Sequence, residues 1–330
     1  MNEFFFIILA VILLIFSLKN NKYLFFLSCL WLFVISAYRG LEVGTDTINY
    51  YSHYLIIQSG CNLNLEPFWV ILLKIISFFN GDYQDVLIVS SCLVLFPIFF
   101  VIYKKSKNPQ LSLFLYYTLY FYFYSFNITR QSIASSLVFV AIYFLSESDI
   151  KKFVFLVLMA GGFHYSAFIA FVLLLSKYTP SRIYIYILTA AFFSGLFFPD
   201  LILKYILEIF SYESYRTQYF GNFIGNALFL LILNSFFVFI MTIVQKKDIL
   251  LNIFFVSILF SNLLCRIPYG NRVVMFFSII QIVYLVDVIY NNNKIIEQKI
   301  VYLIVILYAF TLFFRLLGAG GIFPYTNVIL

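Results

Sequence analysis

Charge is what this sequence lacks most. Only 11% of its 330 residues are charged and 64% are hydrophobic, whereas a soluble domain carries about 25% charged residues. A water-facing surface cannot be assembled from that material, which excludes a soluble protein and a separate soluble module. Histidine is nearly missing: His53 and His164 stand alone and far apart. Cysteine is sparse too. Cys29 and Cys92 fall inside apolar runs, Cys265 ends one, and Cys61 sits in a polar loop, with no metal-ligand spacing anywhere. Neither a metal site nor a cofactor is expected. The first residues lack the basic start and small-residue cleavage pattern of a secretory signal, so they read as a retained helix with its N-terminus outward. No internal repeat is visible. The net charge of +7 comes mostly from lysines scattered singly or in pairs between apolar runs, which argues against nucleic acid as a partner.

What is present is a series of apolar runs, at 4–18, 23–38, 86–103, 110–126, 131–146, 183–198, 225–244, 249–265, 273–290 and 300–317. Most approach the roughly 17–25 residues needed to cross a bilayer. The expected fold is all-α and polytopic: about ten full transmembrane helices in a single transmembrane domain over 1–330, its partner the lipid bilayer. Two segments depart from that pattern. Residues 67–79 are apolar but short, with Lys74 in the middle, and are expected as an interfacial helix on the outer surface. Residues 153–176 are expected as a broken helical hairpin interrupted at Gly161-Gly162.

Both choices follow from the lysines. Twelve of fourteen (19, 22, 104, 105, 107, 151, 152, 177, 246, 247, 294 and 299) occupy gaps that a two-sided topology places together in the cytoplasm. Five of seven arginines, Arg39, Arg130, Arg216, Arg266 and Arg272, lie in or beside the gaps that lysine avoids. Lys204 and Arg182 break the partition. A guanidinium grips phosphate or carboxylate with two parallel hydrogen bonds, which an ammonium cannot do. The outward side, with its long loops 39–85 and 199–224, therefore reads as the place where an anion is held.

Within loop 39–85, Gly44 permits a turn that presents Thr45 and Asp46, with Arg39 placed to orient Asp46 or to bind an anion beside it. An ordinary ion pair in a helix-ending loop is the plainer account. Arg130-Gln131 begins a helix, where an arginine can also snorkel to lipid headgroups. Arg266 and Arg272 bracket the turn Ile267-Pro268-Tyr269-Gly270-Asn271 and suit a diphosphate. Arg216 follows Tyr215, and Tyr212, Tyr215 and Tyr219 read as interfacial. His164, just after the Gly-Gly pair, can accept a proton or donate to an oxyanion. His53 reads as a solvated loop residue. The tyrosine-rich stretch 116–124 could stack on sugars, but an interfacial aromatic belt explains it more simply. Asn127-Ile128-Thr129 fits a glycosylation sequon and is given no weight.

The pieces Arg39-x4-Gly44-Thr45-Asp46-x3-Tyr50, Glu66-Pro67, Arg130-Gln131-x2-Ala134, Phe163-His164-x-Ser166-Ala167 and a late Arg272 followed by aromatics occur in this order. Together they resemble the EpsG family of bacterial membrane proteins, which belongs with the Wzy-type polysaccharide polymerases. That resemblance implies glycosyl transfer at the outer face of the bacterial cytoplasmic membrane. Donor and acceptor would be oligosaccharides on undecaprenyl diphosphate, with a chain-length regulator as a protein partner. Arg130, Arg266, Arg272 and Arg216 would hold diphosphate; Asp46, Glu66 or His164 would accept the proton; Arg39 would orient Asp46. Tyr50 and Gln131 would bind sugar. The rival readings are a membrane O-acyltransferase that modifies a surface glycan, and a transporter or flippase of the lipid-linked unit. A carrier needs ionisable residues at mid-membrane, whereas only Asp287, and Lys74 in its short run, fall inside apolar runs here.

Overall fold

The computed structural model describes residues 2–177, 183–210, 223–244, 248–291 and 295–328, without the side chains of 205–210 and 295. Arg182, Arg216, Tyr212, Tyr215, Tyr219, Lys246, Lys247 and Lys294 lie outside the described residues. The fold is helical, with no strand among the described residues.

In chain order the helices are α1 (Glu3–Ser17), α2 (Lys22–Ala37), α3 (Thr47–Gln58), α4 (Pro67–Phe78), α5 (Tyr83–Lys105), α6 (Pro109–Thr118), α7 (Phe121–Asn127), α8 (Thr129–Ser146) and α9 (Ile150–Phe163). A 3-10 helix (Tyr165–Lys177) follows. The remainder are α10 (Tyr184–Phe197), α11 (Pro199–Phe210), α12 (Phe223–Ile243), α13 (Ile249–Leu264), α14 (Gly270–Ser278), α15 (Gln281–Tyr290) and α16 (Ile295–Leu316). Local chemistry sets many of the starts. Asp82 and Asp85 form a reciprocal capping box at α5. Asn108, Asp149 and Asp248 each accept a backbone N–H at the starts of α6, α9 and α13. Pro67 and Pro109 occupy first-turn positions, where no amide donor is needed.

Among the described residues three helices are long and apolar enough to cross a membrane, Tyr83–Lys105, Phe223–Ile243 and Ile296–Leu316, and the bent pair α14 and α15 is either a broken span or a re-entrant loop. Other expected spans are shorter apolar helices, among them α1, α2, α10 and α13, so the expected ten full spans do not appear as ten long helices. The run 110–126 divides into α6 and α7 at Tyr120, whose φ is 73°. Segment 39–85 is not one long loop. It contains α3 as well as the anticipated short helix α4, which buries Trp69, Leu73 and Ile76 and exposes Lys74. Segment 199–224 begins with α11.

The chain packs as two compact units, Met1–Phe168 with Ile282–Leu330, and Ile169–Gln281. At the centre of the first, every residue of α6 after Pro109 is buried, and α8 lies against α5, α7 and α9. The tyrosine-rich stretch is core here, which corrects the expectation of an interfacial belt. Tyr117 donates to the carbonyl of Phe6 at 3.0 Å, Tyr122 to that of Leu32 at 2.8 Å and Tyr120 to that of Ala319 at 3.1 Å. These three phenols thereby reach an acceptor, whereas the buried hydroxyl of Tyr116 has none. The C-terminal segment returns to the start of segment 39–85: Gly40 N donates to Thr326 O, Gly44 N to Gly321 O and Thr45 N to Gly320 O. In the second unit Asn234 and Asn262 exchange side-chain hydrogen bonds at 2.8 and 3.0 Å, polar glue between apolar helices.

Gly44 tests how tightly this lacing is built. Its φ is +94°, and a Cβ there would lie 2.5 Å from the carbonyl oxygen of Phe126. Gly60 has φ +79° with nothing within 4 Å. Gly60→Ala should therefore cost about 1–2 kcal/mol of backbone strain alone, and Gly44→Ala distinctly more. Thermal unfolding of both purified variants checks this, and equal shifts would show that the close approach at Gly44 does not matter.

Candidate active site

Three residues that sequence reading took from separate motifs meet in the first unit. Glu66 is the residue before α4 and is 5% exposed. Its Oε2 accepts Nη1 of Arg130, and its Oε1 lies 2.7 Å from Nδ1 of His164. Arg130 is the second residue of α8, and His164 follows the last residue of α9.

Local sequence explains the meeting. Helix α9 runs through Gly161 and Gly162 and ends at His164, whose backbone is extended at φ −159°, ψ 115°. The break therefore falls at His164 and not at the glycine pair. The glycines serve packing: a Cβ on Gly162 would lie 2.3 Å from the Phe68 ring, and one on Gly161 would lie 2.2 Å from the Phe168 ring. Phe68 also meets Phe163 edge to face at 5.6 Å. Phe68 is two residues after Glu66, so seating it against α9 brings Glu66 to His164.

Charge balance at Glu66 is decided by its two partners. Burial pushes its carboxyl upward, but the hydrogen bond with His164 and the guanidinium of Arg130 outweigh that and hold it below the ordinary carboxylate value. An ionised carboxylate only accepts hydrogen bonds, so Nδ1 of His164 carries the proton it shares with Glu66.

Tyr50, on α3, closes the cluster. The Arg130 guanidinium lies over its ring at 5.9 Å, and Trp69 meets it edge to face at 5.3 Å. Burial pushes the Tyr50 phenol upward; Arg130 opposes that and the Asp46 charge adds to it. Asp46 precedes α3 and is partly exposed, so it shares the electrostatic neighbourhood of Tyr50 and Arg130. Gln131 is buried beside Arg130 in α8.

Arg39 is placed differently from expectation. It is 2% exposed, donates Nη1 to the carbonyl of Ser36 at 2.7 Å and lies over the Phe126 ring at 5.0 Å. Neither contact is with Asp46. A cation at the end of α2, meeting a last-turn carbonyl, suits the negative end of the helix dipole. Arg266 and Arg272 belong to the second unit. There Arg266 donates Nη1 to Leu196 O at 2.8 Å and lies over Phe223 at 5.6 Å, while Arg272 lies over Tyr269 at 4.5 Å.

Two residues discounted in the sequence belong beside this cluster. Asn127 Oδ1 accepts both the N–H of Thr45, at 2.6 Å, and its hydroxyl, at 3.0 Å. It ties the turn carrying Asp46 to the chain just before Arg130. His53, one helical turn after Tyr50, meets that ring edge to face at 5.9 Å. Burial and the Arg130 charge lower its pKa, with Glu66 opposing. Among the described residues, no group of three or more His, Cys, Asp or Glu is placed to hold a metal ion.

The depressed Glu66 pKa fixes the sign of a pH effect. The stability that this carboxylate contributes is complete above its ordinary value of 4.5 and is lost only as pH falls through the lower folded value. Glu66→Gln should lower the thermal midpoint at pH 7, and the gap from wild type should close under more acidic conditions, below pH 4.5. A gap that instead widened on acidification would contradict the pairing.

The profile of the EpsG family matches residues 22–327. The chain has no match among curated proteins or among solved structures. The matched range takes in the Arg39–Asp46 turn, Glu66, Arg130, His164 and the returning C-terminal segment. With its apolar helices, that match identifies the chain as a membrane protein of the EpsG family, a Wzy-type, polysaccharide-polymerase-like family.

Proposed function

We propose that this protein polymerises lipid-linked oligosaccharide repeat units at the outer face of the bacterial cytoplasmic membrane. A growing glycan on undecaprenyl diphosphate is the donor, and a repeat unit on a second such lipid is the acceptor. The observation that carries the reading is Glu66 shared between Arg130 and His164, in a chain of a polymerase-like family.

The acceptor hydroxyl attacks the anomeric carbon of the donor sugar. The bond from that carbon to the diphosphate oxygen breaks, and its electron pair leaves with the diphosphate. The hydroxyl proton goes to Nε2 of His164. Glu66 holds the Nδ1–H, which fixes the tautomer with Nε2 as acceptor, the same division of labour that a carboxylate performs in hydrolase triads. Glu66 is a poor proton acceptor here, because its partners occupy both oxygens and hold its carboxyl below the ordinary value. Arg130 faces the charge that grows on the leaving diphosphate, where a preorganised donor acts most strongly. Arg266, Arg272 and Arg216 are the further phosphate ligands in this scheme, and Tyr50 and Gln131 contact sugar. The lipid carrier, a chain-length regulator and the outer-face location belong to the same proposal.

Deleting the gene should leave surface lipid capped with a single repeat unit. Loss of all exported units would indicate a flippase, and normal chains lacking only an ester would indicate an acyltransferase. In the deletion strain, Arg130→Lys should lower polymerisation about a hundredfold, since a point charge replaces a directional fork. His164→Gln should lower it by roughly 10²–10⁴-fold. Full-length polymer from His164→Gln would remove the histidine from the chemistry.

A further inference from the structure

Three buried nitrogens around the Tyr50 ring have no hydrogen-bond partner: Nε of Arg130, Nδ1 of His53 and Nε1 of Trp69. Each belongs to a side chain that touches that ring, at 5.9, 5.9 and 5.3 Å. Helix periodicity assembles them. Tyr50 and His53 are one turn apart on α3, Glu66 and Trp69 are one turn apart at the start of α4, and Arg130 comes from α8. Trp69 is fully buried, while His53 and Arg130 are half-buried.

We propose that Arg130, His53 and Trp69 form a subsite around Tyr50 that takes an anionic oxygen, a phosphate or a carboxylate. Indole Nε1 and guanidinium Nε are donors only, so their partner must accept. With the Nδ1–H tautomer of His53, three donors border one ring and together suit an oxyanion, which accepts several charge-assisted bonds. Glu66 does not compete for the place, since its oxygens face Arg130 Nη1 and His164 Nδ1. A buried N–H left unsatisfied is costly, and an entering oxyanion relieves that cost. The source of that oxyanion, the carrier's diphosphate or an acidic sugar of the repeat unit, rests on the polymerase reading; the subsite itself does not.

The chain carries two tryptophans, Trp31 and Trp69, and Trp31 is 50% exposed on α2. The full-length Trp31→Phe protein in phosphatidylcholine nanodiscs therefore reports from Trp69 alone. A saturable emission shift with geranyl diphosphate would assign the subsite to phosphate, and one with glucuronate to a sugar carboxylate. No shift with either, or an equal shift with glucose or geraniol, would overturn the subsite. Equilibrium dialysis with the responsive anion should show roughly tenfold weaker binding in Trp69→Phe and in His53→Phe, and unchanged affinity in both folded variants would also overturn it. Chain length in cells separates the two ideas. Weakened binding with normal polymer leaves the subsite standing and removes it from polymerisation. Shortened polymer with unchanged binding supports the polymerase reading and defeats the subsite.

Discussion

A carboxylate that is 5% exposed must have its charge met, and Glu66 is met on both oxygens, by a guanidinium and by an imidazole. Breaking such a buried pair by removing one partner strands the other charge, which is costly. The arrangement therefore constrains three helices at once: the start of α4, the start of α8 and the end of α9. It also ranks their chemistry. The carboxylate is occupied on both oxygens, whereas Nε of Arg130 has no hydrogen-bond partner.

Close packing stands behind that contact. Phe68 lies so near the backbone of Gly162 that any side chain there would overlap it, and this seats Glu66 against the end of α9. On the other side, Asn127 holds Thr45, and the returning C-terminal segment pairs with Gly40, Gly44 and Thr45. The turn bearing Asp46 is thus fixed by residues far from it in the chain. The buried phenols of Tyr117, Tyr120 and Tyr122 are likewise satisfied by backbone carbonyls of distant segments.

Much of the candidate site could be read from the residues. Glu66, Arg130 and His164 each stood out as ionisable groups at the edges of apolar runs, and the ordered motifs pointed to the family that the matched range then showed. Their partnership could not be read, because 64 residues separate Glu66 from Arg130 and 98 separate it from His164. The Gly161-Gly162 pair was legible as special, but its use in close packing and not in a helix break depended on where Phe68 fell. His53 looked like a loop residue, and Trp69 was one more apolar residue in the run 67–79. Helix α3 was missed because TINYYSHYLIIQ mixes polar and apolar residues with no clear stripe.

Composition settled that the chain lives in a membrane, since so few charges cannot clothe a soluble surface, and the length of its apolar runs made the spans helices, which satisfy their own backbone in lipid. The separation of lysine from arginine marked where an anion site should be sought. Tertiary structure alone decided which apolar residues form the core and which cations share a carboxylate. The reason is that lipid is as apolar as a protein interior, so hydrophobicity along a membrane chain records length and depth but not which face of a helix meets another.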